Sequence, residues 1–135
     1  MAFAAPISAI RLSLLLLAAG MGACATQQPA DAEICAVLGG LRQSFEGGET
    51  PPASAFLNTT NLGNRRIHCG RTVYNGPSTN TISVVQSVAF TADRSYAQVY
   101  LDYGGSGRLW GGYRFVLRRA EDGWHLMNRE QAWES

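Results

Sequence analysis

Tyr96-Ala97-Gln98-Val99-Tyr100-Leu101-Asp102-Tyr103 alternates without a break. Ala97, Val99, Leu101 and Tyr103 fall on one side of an extended chain, and Tyr96, Gln98, Tyr100 and Asp102 on the other. A period of two marks a strand with two unlike faces. The pattern recurs on both flanks. Upstream, Thr81–Thr91 sets Ile82, Val84, Val88 and Phe90 on one face, and Ala92-Asp93-Arg94-Ser95 supplies a polar hairpin connection. Downstream, Gly104-Gly105-Ser106-Gly107 interrupts the alternation before a third long strand, Leu109–Arg119, where Tyr113, Phe115 and Leu117 oppose Arg114, Val116 and Arg118. Glu121-Asp122-Gly123 is a tight turn, and Trp124–Ala132 reads as the last strand. Such short connections join antiparallel neighbours, so 81–132 is expected to form a meander with one apolar and one wet face.

Working outward toward the amino terminus, Ile67–Tyr74 reads as a short edge strand closed by the turn Asn75-Gly76-Pro77. Residues 47–66 carry Gly, Pro, Thr and Asn with little periodicity, which predicts a long loop with one helical turn around Ala53–Asn58. Only Phe56, Leu57 and Leu62 offer core contacts there. Before it, Ile34, Leu38, Leu41 and Phe45 fall at helical spacing with Val37 beside them, predicting a helix from Asp31 to Glu46. Asp31 can cap its start, Glu33 suits the positive end of the dipole and Gly47-Gly48 supplies a stop. Gly39-Gly40, inside the pattern, predicts a kink or the close approach of another element. The expected fold class is therefore α+β: an N-terminal helix packed on a twisted four- to five-stranded antiparallel sheet, in a single domain spanning 31–135.

The first two dozen residues have another character. Arg11 precedes Leu12, Ser13 and Leu14–Leu17, and Ala18-Ala19-Gly20-Met21-Gly22-Ala23 leads to Cys24. A cation, a short apolar core and small residues before a cut are the three parts of a secretory signal. The run Leu12–Ala23 is 12 residues, against roughly 20 for a membrane span. Gly22, Ala23 and Cys24 resemble the lipobox of bacterial lipoproteins, with Met21 in place of the usual leucine. That resemblance implies cleavage of 1–23, acylation of Cys24, a tether over 24–30 and a lipid anchor facing the periplasm. Ala25 after the cysteine, by likeness to enterobacterial lipoproteins, implies transfer to the outer membrane. Ala23-Cys24-Ala25 is the competing site for ordinary signal peptidase, which would release a soluble chain beginning at Thr26. The cysteine count favours the first cut: with Cys24 acylated, Cys35 and Cys69 remain as an even pair for a disulfide in an oxidising compartment.

Removing the leader leaves 112 residues, enough for one core. All 11 cations are arginine, a coding bias typical of GC-rich genomes, and they nearly balance the 10 acids. Without clustered cations a nucleic-acid partner is not expected.

Ser95–Tyr100, Gly105–Tyr113 and Asp122-Gly123-Trp124-His125-Leu126 together resemble the C-terminal half of small uncharacterised bacterial lipoproteins. The helix-and-meander pattern resembles the cystatin-like and nuclear-transport-factor-2-like α+β rolls, although full nuclear-transport-factor-2-like domains usually have three helices before the sheet and one is clear here. Some roll enzymes are similar to ketosteroid isomerase, which couples an Asp base to a Tyr donor. By that likeness Tyr100, Asp102 and His125 are candidates for an acid–base site, although Gln98, Tyr100 and Asp102 are also ordinary occupants of a solvated face.

Other constellations carry less. His68, beside Cys69 and near Arg65, Arg66 and Arg71, has no further ligands at metal-binding spacing, so neither metal nor cofactor is expected. The glycines at 104–107 and 111–112 precede a strand and not a helix, so a hairpin is expected and not a phosphate cradle. Asn58-Thr59-Thr60 is a sequon without weight behind a bacterial signal. Arg108, Leu109 and Trp110 form a candidate interaction surface, since Arg and Trp are favoured interface anchors, while Trp124 and Trp133 suit core or sheet-edge packing. Arg108, Arg114 and Arg118 share strand parity and predict a polar strip, neutralised by Asp102 or Glu130. The chain is thus expected to be a non-catalytic envelope module holding a protein or a small ligand. An acid–base enzyme and an inhibitor or immunity-type protein acting through 104–112 are the alternatives.

Overall fold

The computed structural model describes residues 31–76 and 81–135. The expected leader, Cys24, the tether and Pro77 lie outside them.

Helix α1 spans Asp31–Gly40, with Ile34, Val37 and Leu38 buried and Asp31 and Glu33 in its first turn. It stops six residues short of the expected Glu46, and Gly40 is the reason. A Cβ on Gly40 would lie 2.7 Å from Leu117 Cδ2 and 2.8 Å from the Trp124 carbonyl oxygen. The last residue of the helix is therefore pressed directly onto β6 and β7. Leu41, Arg42 and Gln43 then donate to carbonyls only three residues back, which tightens and ends the helix.

Five strands form one antiparallel sheet in the order β1-β4-β5-β6-β7: β1 Phe56–Asn61, β4 Thr81–Thr91, β5 Tyr96–Gly105, β6 Arg108–Ala120 and β7 Gly123–Glu134. β2 (Ile67–Cys69) and β3 (Thr72–Tyr74) make a separate two-stranded hairpin. The fold class is α+β, and β4 to β7 are the expected meander. Two elements depart from expectation. The expected single edge strand over 67–74 turns back at Gly70, whose φ of 61° is left-handed. The expected loop over 47–66 holds a 3-10 turn at Ala53–Ala55 and then strand β1, which pairs with β4 across a bulge between Phe56 and Asn58.

One face of the sheet carries the core: Val88 and Phe90, Ala97 and Val99, Leu117, Trp124 and Leu126, covered by α1, Leu62 and Ile67. A bulge between Val85 and Ser87 shifts the parity of β4, so Val85 joins this face, where Val84 was expected. Asn75, in the left-handed region, fixes the β2–β3 hairpin against β4. It donates to the carbonyls of Leu62 and Val85 and accepts from the Val85 N–H at 2.7 Å. The Cys35–Cys69 disulfide joins α1 to β2, with Cα atoms 5.4 Å apart.

The opposite face is not the fully solvated one expected. Phe56, Ala89 and Val116, with Tyr96 against them, form a second small core. Gln98 and Arg114 are each only 8% exposed on this face. The segment after α1 reaches it by passing round the β7 edge, where the Glu46 N–H donates to the Leu126 carbonyl. That bond also occupies part of an edge that would otherwise be open to pairing.

Candidate functional site

The β2–β3 hairpin covers the apolar face over β4, and α1 covers the Leu117–Trp124 end of β6 and β7, leaving the rest of those two strands incompletely covered. There an open groove of about 610 Å³ lies between the strap that follows α1 (Leu41, Gln43, Phe45) and the strands below (Phe115, Leu126, Arg129). Phe45, expected on the buried stripe of a longer helix, is 59% exposed. Its position follows from the early stop at Gly40, which sends the chain outward before Phe45 can return to the sheet.

Aromatic surface runs on from the groove. Phe115 tilts against Tyr113 at 5.9 Å between centroids, and Tyr113 stacks on Tyr103 at 5.2 Å. The Arg129 guanidinium sits 5.3 Å over the Tyr113 ring, a cation–π contact that positions it at the groove wall. The ion pairs of the described arginines use Arg65, Arg94, Arg114 and Arg118, leaving Arg129 to the ring. Burial, with Tyr113 and Glu134 nearby, raises the pKa of the Tyr103 phenol above its ordinary value.

Tyr100 and Asp102 do share the second face. Asp102 accepts from Gln86 Nε2 at 2.9 Å and from Trp133 Nε1 at 2.7 Å. Gly112 makes this possible, because a Cβ there would collide with both the carboxylate and the indole. His125 does not join them. Asp102 stands opposite Gly112 and His125 opposite Arg118, which in turn faces Tyr96. Asp102 therefore lies six positions along β5 from the level of His125, about 20 Å at the rise of a strand. The expected three-residue site is not assembled.

His125 has another role in the fold. Its Nδ1 lies 2.7 Å from Glu46 Oε1 and its Nε2 2.7 Å from Asp122 Oδ1. Two carboxylate acceptors are both satisfied only by the imidazolium, which donates from each nitrogen. The bonds to Asp122 and then to Glu46 raise the His125 pKa, and the bond to His125 lowers that of Asp122. Arg118 adds a second cation 3.4 Å from Glu46. The clamp ties the strap to the β6–β7 turn.

The arginine strip is met in part, since Glu130 is the expected partner of Arg114. Arg114 is buried, donating to Gln98 Oε1 and pairing with Glu130 at 3.2 Å, while Arg118 belongs to Glu46. Neither is neutralised by Asp102. At the far end of the sheet Arg108 and Trp110 are exposed and Leu109 half-buried, as a contact surface requires. Trp110 sits at the bulge between Tyr103 and Gly104, as the residue of β6 left without a partner. His68 lies exposed in β2 opposite Val73. Among the described residues no group of three His, Cys, Asp or Glu side chains is placed to hold a metal, and no helix is long and apolar enough to cross a membrane.

Comparison of the chain with protein-family models, with curated proteins and with solved structures finds no match.

The groove was missed at the sequence level. Its one available signal was Phe45, an apolar residue stranded beyond Gly39-Gly40, where a helix has cause to end.

Proposed function

We propose that the chain is a small envelope lipoprotein, anchored through Cys24 and facing the periplasm, whose roll-like domain binds a ligand in the groove under Phe45 without turning it over. The carrying observation is the contrast between two sets of side chains. Asp102, His125 and Arg114 are each engaged by two side-chain partners within the fold. The strap and the β6–β7 face, by contrast, leave aromatic and aliphatic surface open to solvent in a groove of about 610 Å³, inside the range of small-molecule sites. The cystine supports an oxidising compartment.

Fragment mapping by protein NMR tests the binding role. Shift perturbations should concentrate on Leu41, Phe45, Phe115 and Leu126 and vanish in Phe45→Asp. Perturbations scattered over the surface would remove the groove as a site.

A second reading is favoured by Trp110, which is 46% exposed at the far end of the sheet. It makes Arg108, Leu109 and Trp110 an anchor for a protein partner in the envelope. Affinity capture from envelope extract should then lose its partner in Trp110→Ala, and unchanged capture would end this reading.

A further inference from the structure

We propose that the groove selects a single-chain amphiphilic carboxylate of the fatty-acid class, with Arg129 receiving the head group; this rests on the groove being the binding site. Four of the six lining side chains are apolar (Leu41, Phe45, Phe115 and Leu126), Gln43 is neutral, and Arg129 is the only charged one. A ligand that matches this lining has an apolar body and one negative charge. A doubly charged phosphate monoester would leave one charge uncompensated beside apolar walls, which is costly.

The guanidinium fork matches a carboxylate in two-pronged geometry, and its cation–π contact with Tyr113 holds it at the groove wall before ligand arrives. A row of rings runs on from Phe115 to Tyr113 and Tyr103, and its elongated form suits an extended chain better than a compact ring. Phe45 stands exposed on the opposite wall, where it loses water contact when such a chain is seated.

Photo-crosslinking tests this on the full mature chain in lipid nanodiscs. The probes are dodecanoate with a terminal diazirine and the matching alcohol, and labelled peptides are mapped by mass spectrometry. The acid should label peptides containing Leu41–Phe45 and Phe115–Leu126 at least ten-fold more than the alcohol, and unlabelled dodecanoate should compete. Arg129→Gln should abolish that preference, and Arg129→Lys should restore part of it. Equal groove labelling by acid and alcohol, or an unchanged preference in Arg129→Gln, would overturn the ligand class and leave the binding site standing. Groove peptides unlabelled by either probe would overturn both.

Discussion

At the scale of single residues, adjacent glycines have opposite value. Gly39 has nothing within 4 Å of the position its Cβ would occupy, whereas Gly40 is pressed against Leu117 and the Trp124 backbone. Gly39→Ala should stabilise the protein by up to about 1 kcal/mol through helix propensity. Gly40→Ala should cost about 1–3 kcal/mol, because the added methyl forces α1 off the sheet. Urea denaturation of the two variants checks this, and equal effects would contradict the close approach at Gly40. Sequence reading located both glycines as a kink or close approach without separating them. Which of two neighbours faces the sheet depends on helix rotation, and that is set by Ile34, Val37 and Leu38 in tertiary packing. A similar local economy holds at Asp93. It accepts from the side chain and backbone of Ser95 and from the Thr91 hydroxyl, which lowers its pKa from 3.8 to about 2. Its contribution to stability is present above its ordinary value and is lost as the pH falls toward about 2. An acid titration of Asp93→Ala should lack that component.

At the scale of elements, the strap that carries Phe45 is held by the His125 clamp, and the clamp depends on pH. The folded-state pKa of His125 is raised, so its contribution is fully present below the ordinary histidine value of about 6.5 and is lost as pH rises through the folded value. Asp122 adds a contribution that is lost only in acid, as pH falls through its lowered value. Wild type should therefore lose protection of the Glu46 amide in hydrogen exchange between mildly acidic and alkaline pH, beyond the intrinsic rate change. In His125→Gln this loss should be absent. Equal pH dependence in both proteins would show that the clamp does not hold the strap. The clamp was not legible in the sequence because Glu46 and His125 are 79 residues apart. By contrast, β4 to β7 were legible almost residue by residue, since alternation and short turns are local signals. Strand β1 was not, since Phe56–Asn61 is polar except at Phe56 and Leu57 and takes its conformation from pairing with β4. The bulge at Val85–Ser87 escaped for a related reason: one inserted residue inverts parity without any mark in composition.

At the scale of the whole molecule, a short helix covers only part of a five-stranded sheet, and a disulfide to the β2–β3 hairpin fastens that cover. The cystine spans a sequence separation of 34, for which chain entropy predicts roughly 3–4 kcal/mol. The Cys35→Ser, Cys69→Ser double variant should lose stability on that scale in urea denaturation, and a loss below about 1 kcal/mol would contradict a structural role for the bridge. What remains open over β6 and β7 becomes the groove, so the site follows from the incompleteness of the cover. That is why it was invisible in the sequence. The catalytic reading drew Tyr100, Asp102 and His125 together from a resemblance and from strand parity, and parity fixes a face and says nothing of distance along it. The proposed lipid tether and ligand capture both require export, and the intact mass of the protein purified from its own cells tests that most directly. The account predicts a chain beginning at Cys24, heavier than 24–135 by its lipid and lighter by two hydrogens for the Cys35–Cys69 bond. A chain that retains Met1 with three free thiols, or one that starts at Thr26 without lipid, would contradict it.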